Sequence, residues 1–275
     1  QRLTGYRHLD AAHAVRLVSV VTMPRVRRVV PGLLMALALH AHAGDPSAIE
    51  PAAVQALEQM GSYLRSLRQF GVEARSQTDQ VLDNGQTVEF RHTTRLLAQP
   101  PDKLLVSVDN QGIHRTLYYN GKRFTLYQSP SPYYASAPAP ANINALIDLL
   151  NSRYGIELPL ADLFRWNANT VRQAGLRSAV LIGSDTLDGQ RCDHYALRQD
   201  DIDWQLWLRQ GEQPLPCRLT ITRRDIPEQP RHSVDFTWQL KPAISAHSFD
   251  FDPPAGAQEV PLQWAPSKYS LEAQP

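Results

Sequence analysis

Acidic and imidazole side chains are the first candidates for chemistry in this chain, because an aspartate that orients a histidine can support general acid–base catalysis. The sequence holds one adjacent pair, Asp193-His194, inside a run that is typical of a β-strand. Neighbouring residues of a strand point to opposite faces, so these two side chains cannot hydrogen-bond to each other. The pair therefore favours a structural histidine over a catalytic dyad.

The other reactive residues show no catalytic or metal-binding pattern. No Gly-x-Ser-x-Gly elbow, His-Glu-x-x-His helix, phosphate-binding loop, dinucleotide-binding turn or Cys-x-x-Cys pair occurs in the sequence. The histidines beyond residue 43 follow no ligand spacing: His92, His114, His194, His232 and His247. The sequence therefore predicts no catalytic residue, no metal and no cofactor, and it favours a non-enzymatic protein.

Charge is distributed unevenly along the chain. The formal net charge is +1, but residues 1–43 hold six Lys/Arg and one acidic residue, which leaves 22 basic against 26 acidic residues, or −4, in the rest. A net negative remainder removes the electrostatic motive for binding nucleic acid. The 43% hydrophobic and 20% charged residues are typical of a soluble globular domain.

The basic N-terminal region predicts an export signal. Arginines within residues 25–28 precede the apolar run 29–39, and Ala41-His42-Ala43 supplies a small-x-small cleavage pattern. The run is shorter than the ~20 residues of a membrane span, so we expect cleavage after Ala43, no stable membrane insertion and a periplasmic protein. Met23 stands where such a signal begins, and residues 1–22 are interpreted as an upstream extension of the reading frame.

Cys192 and Cys217 are the two cysteines of the chain. An even count in an exported protein favours a disulfide. The predicted meander, however, places them on its first and third strands, and two spacings of about 4.8 Å exceed the ~7 Å limit between bridged Cα atoms. A disulfide and two small buried apolar side chains both remain open interpretations.

Alternating apolar residues predict the strands that organise the fold. Over residues 202–209, Trp204 and Leu206 share one face with Ile202 and Leu208, and residues 233–240 place Phe236 and Trp238 on one face in the same way. Burial of a large apolar side chain stabilises by roughly 1.5–3 kcal/mol, so both faces require cover. We therefore predict that Trp204 and Trp238 are core residues.

Periodicity and turn signals complete the predicted elements. An amphipathic helix is expected over Ser47–Phe70, and the Pro- and Ser-rich residues 128–140 predict irregular chain. The pairs Asn84-Gly85 and Asn120-Gly121 predict two-residue hairpin turns with positive φ at both residues. Further strands are expected over residues 72–82, 87–97, 104–108, 114–119, 123–127, 179–183, 192–198 and 218–222.

Residues 141–165 predict a cover for the sheet. Asn142 is expected to cap a short apolar helix, Pro159–Phe164 a second helical turn, and Gly155 offers a hinge between them. A segment this apolar must bury its face. A movable lid over an apolar pocket and a static plug both fit this pattern.

Several motifs resemble two known families. Periplasmic lipoprotein carriers of the LolA and LolB type are similar in Pro101-Asp102-Lys103-Leu104, Tyr118-Tyr119-Asn120-Gly121-Lys122, Tyr127 and Phe249-x-Phe251-x-Pro253-Pro254-x-Gly256. A family of predicted periplasmic proteins of unknown function is more similar, in Pro159-Leu160-Ala161-Asp162-Leu163, Gly189-x-x-Cys192-Asp193-His194, Asp203-Trp204-Gln205-x-Trp207 and Pro214-Leu215-Pro216. Together these motifs cover about residues 54–260.

The resemblance implies a mainly β fold, an incomplete antiparallel β-barrel of about eleven strands around an apolar cavity closed by short lid helices. In the carriers an arginine before the strand-entry proline latches the lid, whereas here Gln99-Pro100 precedes Pro101. With the strand list above, this predicts one LolA/LolB-like half-barrel domain over residues 44–260, a lid at about 141–165 and a loose tail over 261–275.

The leading functional hypothesis is a periplasmic binding protein that holds a lipid acyl chain or a lipidated partner in the cavity. The alternative is an envelope interaction or stress-sensing protein that uses the outer sheet surface, and a hydrolase ranks third. The sequence leaves the ligand and the oligomeric state open. The expected cavity and lid residues are Ile143, Leu146, Ile147, Leu150, Leu163, Phe164, Val88, Phe90, Val106, Trp204, Leu206, Phe236 and Trp238.

Overall fold

A computed structural model of the chain describes residues 48–110 and 112–262. The predicted signal peptide with its cleavage point, and the tail beyond residue 262, lie outside the described residues. Within the described part of the chain, no helix combines the length and apolar character that crossing a membrane requires.

The described strands form one open sheet. Its spatial order is β12-β6-β5-β4-β3-β2-β1-β11-β10-β9-β8-β7, so β7 and β12 are the two margins and the sheet does not close into a barrel. All neighbouring strands pair antiparallel except β12 with β6. This confirms the mainly β, incomplete-barrel prediction. The strands are β1 Phe70–Val81, β2 Thr87–Gln99, β3 Lys103–Asn110, β4 Ile113–Tyr119, β5 Arg123–Ser129, β6 Tyr133–Pro138, β7 Ser178–Leu187, β8 Gln190–Arg198, β9 Ile202–Arg209, β10 Pro216–Arg223, β11 Arg231–Gln239 and β12 Gln258–Glu259.

Four described helices cover the inner face of the sheet: α1 Pro51–Ser66, α2 Ile143–Tyr154, α3 Asp162–Arg165 and α4 Ala168–Gln173. Helix α1 has proline in its first turn, where the missing N–H costs nothing, and it buries Leu57, Met60 and Leu64. Helix α2 begins at the predicted cap, since the Asn142 side chain accepts a hydrogen bond from the Ala145 N–H.

The core divides into two clusters that meet at the centre of the sheet. The first cluster joins α1 and α4 to strands β7–β10, including Trp204 and Leu206. The second joins α2 to strands β1–β5, including Leu104 and Leu117. Trp238 packs against both clusters. The two halves of the sheet are therefore covered by different helices.

The Asn-Gly hairpins form, but the predicted turn type is wrong. Gly85 and Gly121 have φ of 80° and 87°, whereas the preceding asparagines are not among the described residues with positive φ. At the second hairpin the Asn120 side chain accepts hydrogen bonds from the N–H groups of Lys122 and Arg123, which bends the chain without a left-handed asparagine. The turn with two left-handed residues is Asp188-Gly189, which joins β7 to β8.

The prediction of irregular chain over residues 128–140 is also wrong in part, because Tyr133–Pro138 forms β6. This strand pairs along its length with β5, but on its other side it meets only two residues of β12. Proline lacks an N–H donor and is therefore tolerated beside a sparsely paired side. The proline-rich composition of residues 128–140 therefore gave no indication of strand β6.

The two cysteines form a disulfide, with 6.7 Å between the Cα atoms of Cys192 and Cys217. A register shift between Pro216 and Arg218 places Cys217 at an irregularity of β10, near the end of β9. At this irregularity the two Cα atoms are closer than two flat strand spacings of about 4.8 Å each. Of the two interpretations of the cysteines, a disulfide and two separate buried side chains, the disulfide is therefore the correct one.

The segment after β11 packs on strands β4–β6. Phe251 packs against the rings of Tyr118, Tyr127 and Tyr134, with centroid distances of 5.2, 5.4 and 4.9 Å. The Asn120 amide donates a hydrogen bond to Asp250 at 2.9 Å. The Phe-x-Phe run thus holds the chain across β4–β6 before β12 begins.

Candidate ligand cavity

An apolar cavity lies between the helical cover and the inner face of β9–β11. It has a volume of about 90 Å³. Side chains of α1, of the segment 160–174 and of the three strands surround it. The lining residues are Met60, Leu64, Leu160, Asp162, Leu163, Trp166, Thr170, Ala174, Gln199, Trp204, Leu206, Pro216, Leu219, Ile221 and Phe236.

Four of the expected cavity residues belong to this lining: Leu163, Trp204, Leu206 and Phe236. Five others are buried in the second core cluster: Ile143, Leu146, Ile147, Leu150 and Val106. Phe164 and Trp238 pack on either side of Phe70, with centroid distances of 5.9 and 5.7 Å. Val88 and Phe90 are half-buried near the start of β2, outside both clusters.

The cover of this cavity differs from the segment expected from the sequence. Helix α2 lies over the other half of the sheet. The cavity is instead covered by residues 160–174, which form the cover and pack against α1. Helix α4 was missed by the sequence analysis, although Asn167 and Thr170 form a reciprocal capping box at its start. That Asn-x-x-Thr spacing is the signal that could have found it.

Trp166 holds the cover against α1. Its indole N–H donates to the Leu57 carbonyl at 3.1 Å, and its own carbonyl accepts from Arg65 at 2.7 Å. A Cβ on Gly61 would lie 2.7 Å from the Trp166 ring, so glycine is what permits this close approach. The ring also meets Trp204 edge-on, with 5.9 Å between centroids.

Some polar groups of the lining have hydrogen-bond partners and one has none. The Thr170 hydroxyl donates to the Asn167 carbonyl and accepts from its N–H, and the Gln199 amide donates to the Ala174 carbonyl. The Trp204 indole N–H is buried and has no hydrogen-bond partner within the described part of the chain. A buried donor left unpaired costs about 1–3 kcal/mol.

Asp162 is the one acidic residue of the lining. It opens α3, and its side chain is half-buried among apolar neighbours. Burial raises the pKa of this carboxyl to about 6, against the smaller lowering effect of Arg165. The cavity therefore has a carboxyl group that loses its proton near neutral pH.

The sequence places the chain in a family. The model of the family described as "Predicted periplasmic protein (DUF2092)" matches residues 53–263. The chain belongs to this family. The match confirms the resemblance to predicted periplasmic proteins and the periplasmic location. No curated protein sequence matches the chain.

Solved structures similar to this DUF2092 protein include LprF, a lipoprotein and a LolA superfamily member. LprF from Mycobacterium bovis has 12% identity and a TM-score of 0.43, covering 76% of this chain and 99% of that chain. Lipoprotein LppX from Mycobacterium tuberculosis has 13% identity and a TM-score of 0.40, covering 71% and 98%. A LolA superfamily protein from Nitrosomonas europaea has 14% identity and a TM-score of 0.34, covering 72% and 97%.

The Asp193-His194 pair of this DUF2092 protein lies away from the cavity. The Asp193 carboxylate accepts from the Ser184 hydroxyl, and the His194 ring stacks on Trp207 and bonds to Gln205. The two side chains thus have separate partners. No group of three or more His, Cys, Asp or Glu suited to a metal ion occurs among residues 48–110 and 112–262.

The contribution of Asp162 to the free energy of unfolding should fall as the pH rises from about 4 to about 7. The pKa of Asp162 is about 6 in the folded protein against 3.8 for an ordinary aspartate, so the folded state binds this proton more tightly. The stability gained from it is complete below the unfolded pKa, and at most about 3 kcal/mol is lost as the pH passes the folded pKa. Denaturant titrations across this range, on the wild type and on Asp162→Asn, measure the effect. The same pH dependence in both proteins would contradict it.

Proposed function

We propose that this DUF2092 protein is a non-enzymatic binding protein of the periplasm that takes an acyl chain, of a lipid or a lipidated partner, into the cavity between α1, residues 160–174 and β9–β11. The observation that carries the proposal is the cavity itself. Its wall is built almost entirely of aliphatic and aromatic side chains, and the short helical segment 160–174 forms one side of it. Ligand sites are typically concave and apolar with a few polar groups, as here.

The cavity volume limits the size of the ligand that this conformation can hold. At about 90 Å³ the cavity is smaller than the roughly 150 Å³ cavity that accepts one benzene molecule. It therefore has room for a short apolar segment, and a longer chain requires the cover to move. Each methylene group that enters contributes about 0.8 kcal/mol.

Backbone geometry supports a cover that can move as a unit. Gly155 and Gly175 flank it, and both are in the left-handed region, with φ of 63° and 65°. Leu160, inside the cover and in the cavity lining, has φ of 61°. A non-glycine residue held there costs about 1–3 kcal/mol. Release of this strain would offset part of the free energy needed to separate the cover from α1 and the sheet.

Binding of the uncharged fluorescent dye N-phenyl-1-naphthylamine tests the proposal. The variant Ala174→Leu places a larger side chain in the cavity, and Ala52→Leu makes the same change on the exposed side of α1. Loss of room for about two methylene groups should weaken binding about tenfold in the first variant. The control should bind like the wild type. Variants of Ile147 or Leu150 suit this purpose less, because those side chains are 4% and 0% exposed and their loss would test folding.

Native mass spectrometry of protein purified from the periplasm supplies a second measurement. A copurified lipid released by solvent extraction would support the proposal. If the wild type binds no dye and releases no lipid, the cavity is a packing defect under a static plug, and the binding-protein function must be abandoned.

A second candidate function is favoured by the edge strand β7. Leu181 and Ile182 are 46% and 58% exposed there, and Ile49 beside them is 48% exposed. Exposed apolar side chains on an edge strand favour pairing with another chain. An interaction protein of this kind would retain partner binding in Ala174→Leu and lose it in Ile182→Lys.

A further inference from the structure

Two polar groups of the cavity have unused hydrogen-bonding capacity. The Trp204 indole N–H, in a side chain that is 6% exposed, has no partner among the described residues. The Asp162 carboxyl makes no side-chain hydrogen bond or ion pair within the described part of the chain, although it lines the same cavity. One group is a donor only, and an ionised carboxylate is an acceptor only.

We propose that Asp162 and Trp204 select the ligand: the cavity takes an amphiphile whose polar group is an uncharged hydroxyl or amide, and it rejects amphiphiles with an anionic end, such as fatty acid anions. The inference rests on the proposed function and specifies its ligand class. A hydroxyl or amide can accept from the Trp204 N–H and donate to the Asp162 carboxylate. The buried indole N–H and the half-buried carboxylate would then both gain a partner from one ligand.

An anionic ligand would meet an unfavourable environment in this cavity. Its oxygens could accept from Trp204, but they have nothing to donate to Asp162, and two like charges in an apolar site repel strongly. The polar side chains that remain, Thr170 and Gln199, are already bonded to the backbone. The ionised Asp162 therefore disfavours a second carboxylate.

Cations around the cavity compensate for that charge only in part, since Arg165 lowers the pKa of Asp162 less than burial raises it. Arg165, the nearest one in sequence, is 2.5 Å from Asp148, and Arg65 of α1 donates to the Trp166 carbonyl. Arg172 is paired with Glu58 of α1, at 3.3 Å. Strands β9–β11 contribute no charged residue to the described lining. The described lining therefore contains no lysine or arginine that could pair with an anionic group.

Competition against N-phenyl-1-naphthylamine at pH 8 tests the selection. Dodecanol and dodecanoate have the same chain length and differ in the charge of the polar end. Wild-type protein should prefer dodecanol, and Asp162→Asn should raise the ratio of dodecanoate affinity to dodecanol affinity about tenfold or more relative to the wild type. The ratio of the two binding affinities is compared between wild type and variant. The intrinsic preference of a carboxylate for water is the same in both proteins and therefore cancels.

Trp204→Phe tests the donor. It keeps an aromatic ring and removes the N–H, so the ratio of dodecanol affinity to dye affinity should fall about threefold to tenfold, because the dye needs no such donor. An unchanged dodecanol-to-dodecanoate ratio in Asp162→Asn would overturn the selection and leave the hydrophobic-ligand function standing. Failure of the wild type to bind the dye or dodecanol would instead reject the proposed function itself.

Discussion

Replacement of the half-buried Trp238 with alanine should lower the free energy of unfolding by about 3–5 kcal/mol. The indole lies where the two core clusters meet and packs on Phe70 and Phe236, with centroid distances of 5.7 and 6.3 Å. Its N–H donates to the Pro216 carbonyl at 2.8 Å. Removal of the side chain therefore opens a cavity in both clusters and leaves a carbonyl without its donor.

Urea denaturation followed by circular dichroism measures the change. Trp238→Phe is the matched control, because it keeps an aromatic ring in the core and removes the hydrogen bond, which is worth about 1 kcal/mol. A smaller loss is expected for it than for the alanine variant. Equal denaturation midpoints for wild type and Trp238→Ala would show that the side chain is not part of the core.

Removal of the disulfide should cost about 3–4 kcal/mol. Cys192 and Cys217 are 25 residues apart, and closing a loop of that length restricts the unfolded chain by this amount in the chain-entropy model. The bridge links β8 to β10 across β9, whose residues Trp204 and Leu206 line the cavity. Its loss should therefore lower the stability of the half of the sheet that holds the candidate site.

The double variant Cys192→Ala/Cys217→Ala gives the measurement, and reduction of the wild type by dithiothreitol gives an independent one. Both should shift the denaturation midpoint to lower urea, and reductant should have no effect on the double variant. A wild type whose midpoint is insensitive to reduction would contradict the expected stabilisation by the bridge.

Local patterns were sufficient for most elements because their causes are local. Alternation placed Trp204 on the inner face of β9, proline and apolar spacing located α1, and the Asn142 side chain marked the start of α2. Where a local signal was ambiguous, the environment decided. Tyr133–Pro138 is a strand because its one proline, Pro138, stands at its last position, where it interrupts no further pairing with β5.

The sequence by itself determined the mainly β fold, the family and the presence of an apolar helical cover over the sheet, since alternation, turn residues and motifs are properties of the chain. The placement of the cover was decided only by tertiary structure. The α2 stripe that includes Leu146 and Leu150 is buried over β1–β5, whereas the cavity is covered by residues 160–174.

The disulfide and the acidity of Asp162 depended on the tertiary structure for the same reason. Cys192 and Cys217 lie within reach of each other at an irregularity in β10, which is not visible in the spacing of the cysteines. The pKa of Asp162 is raised by apolar side chains of α1 and of strands distant in sequence. Periodicity shows which face a residue occupies, but long-range packing decides which other residues it meets there.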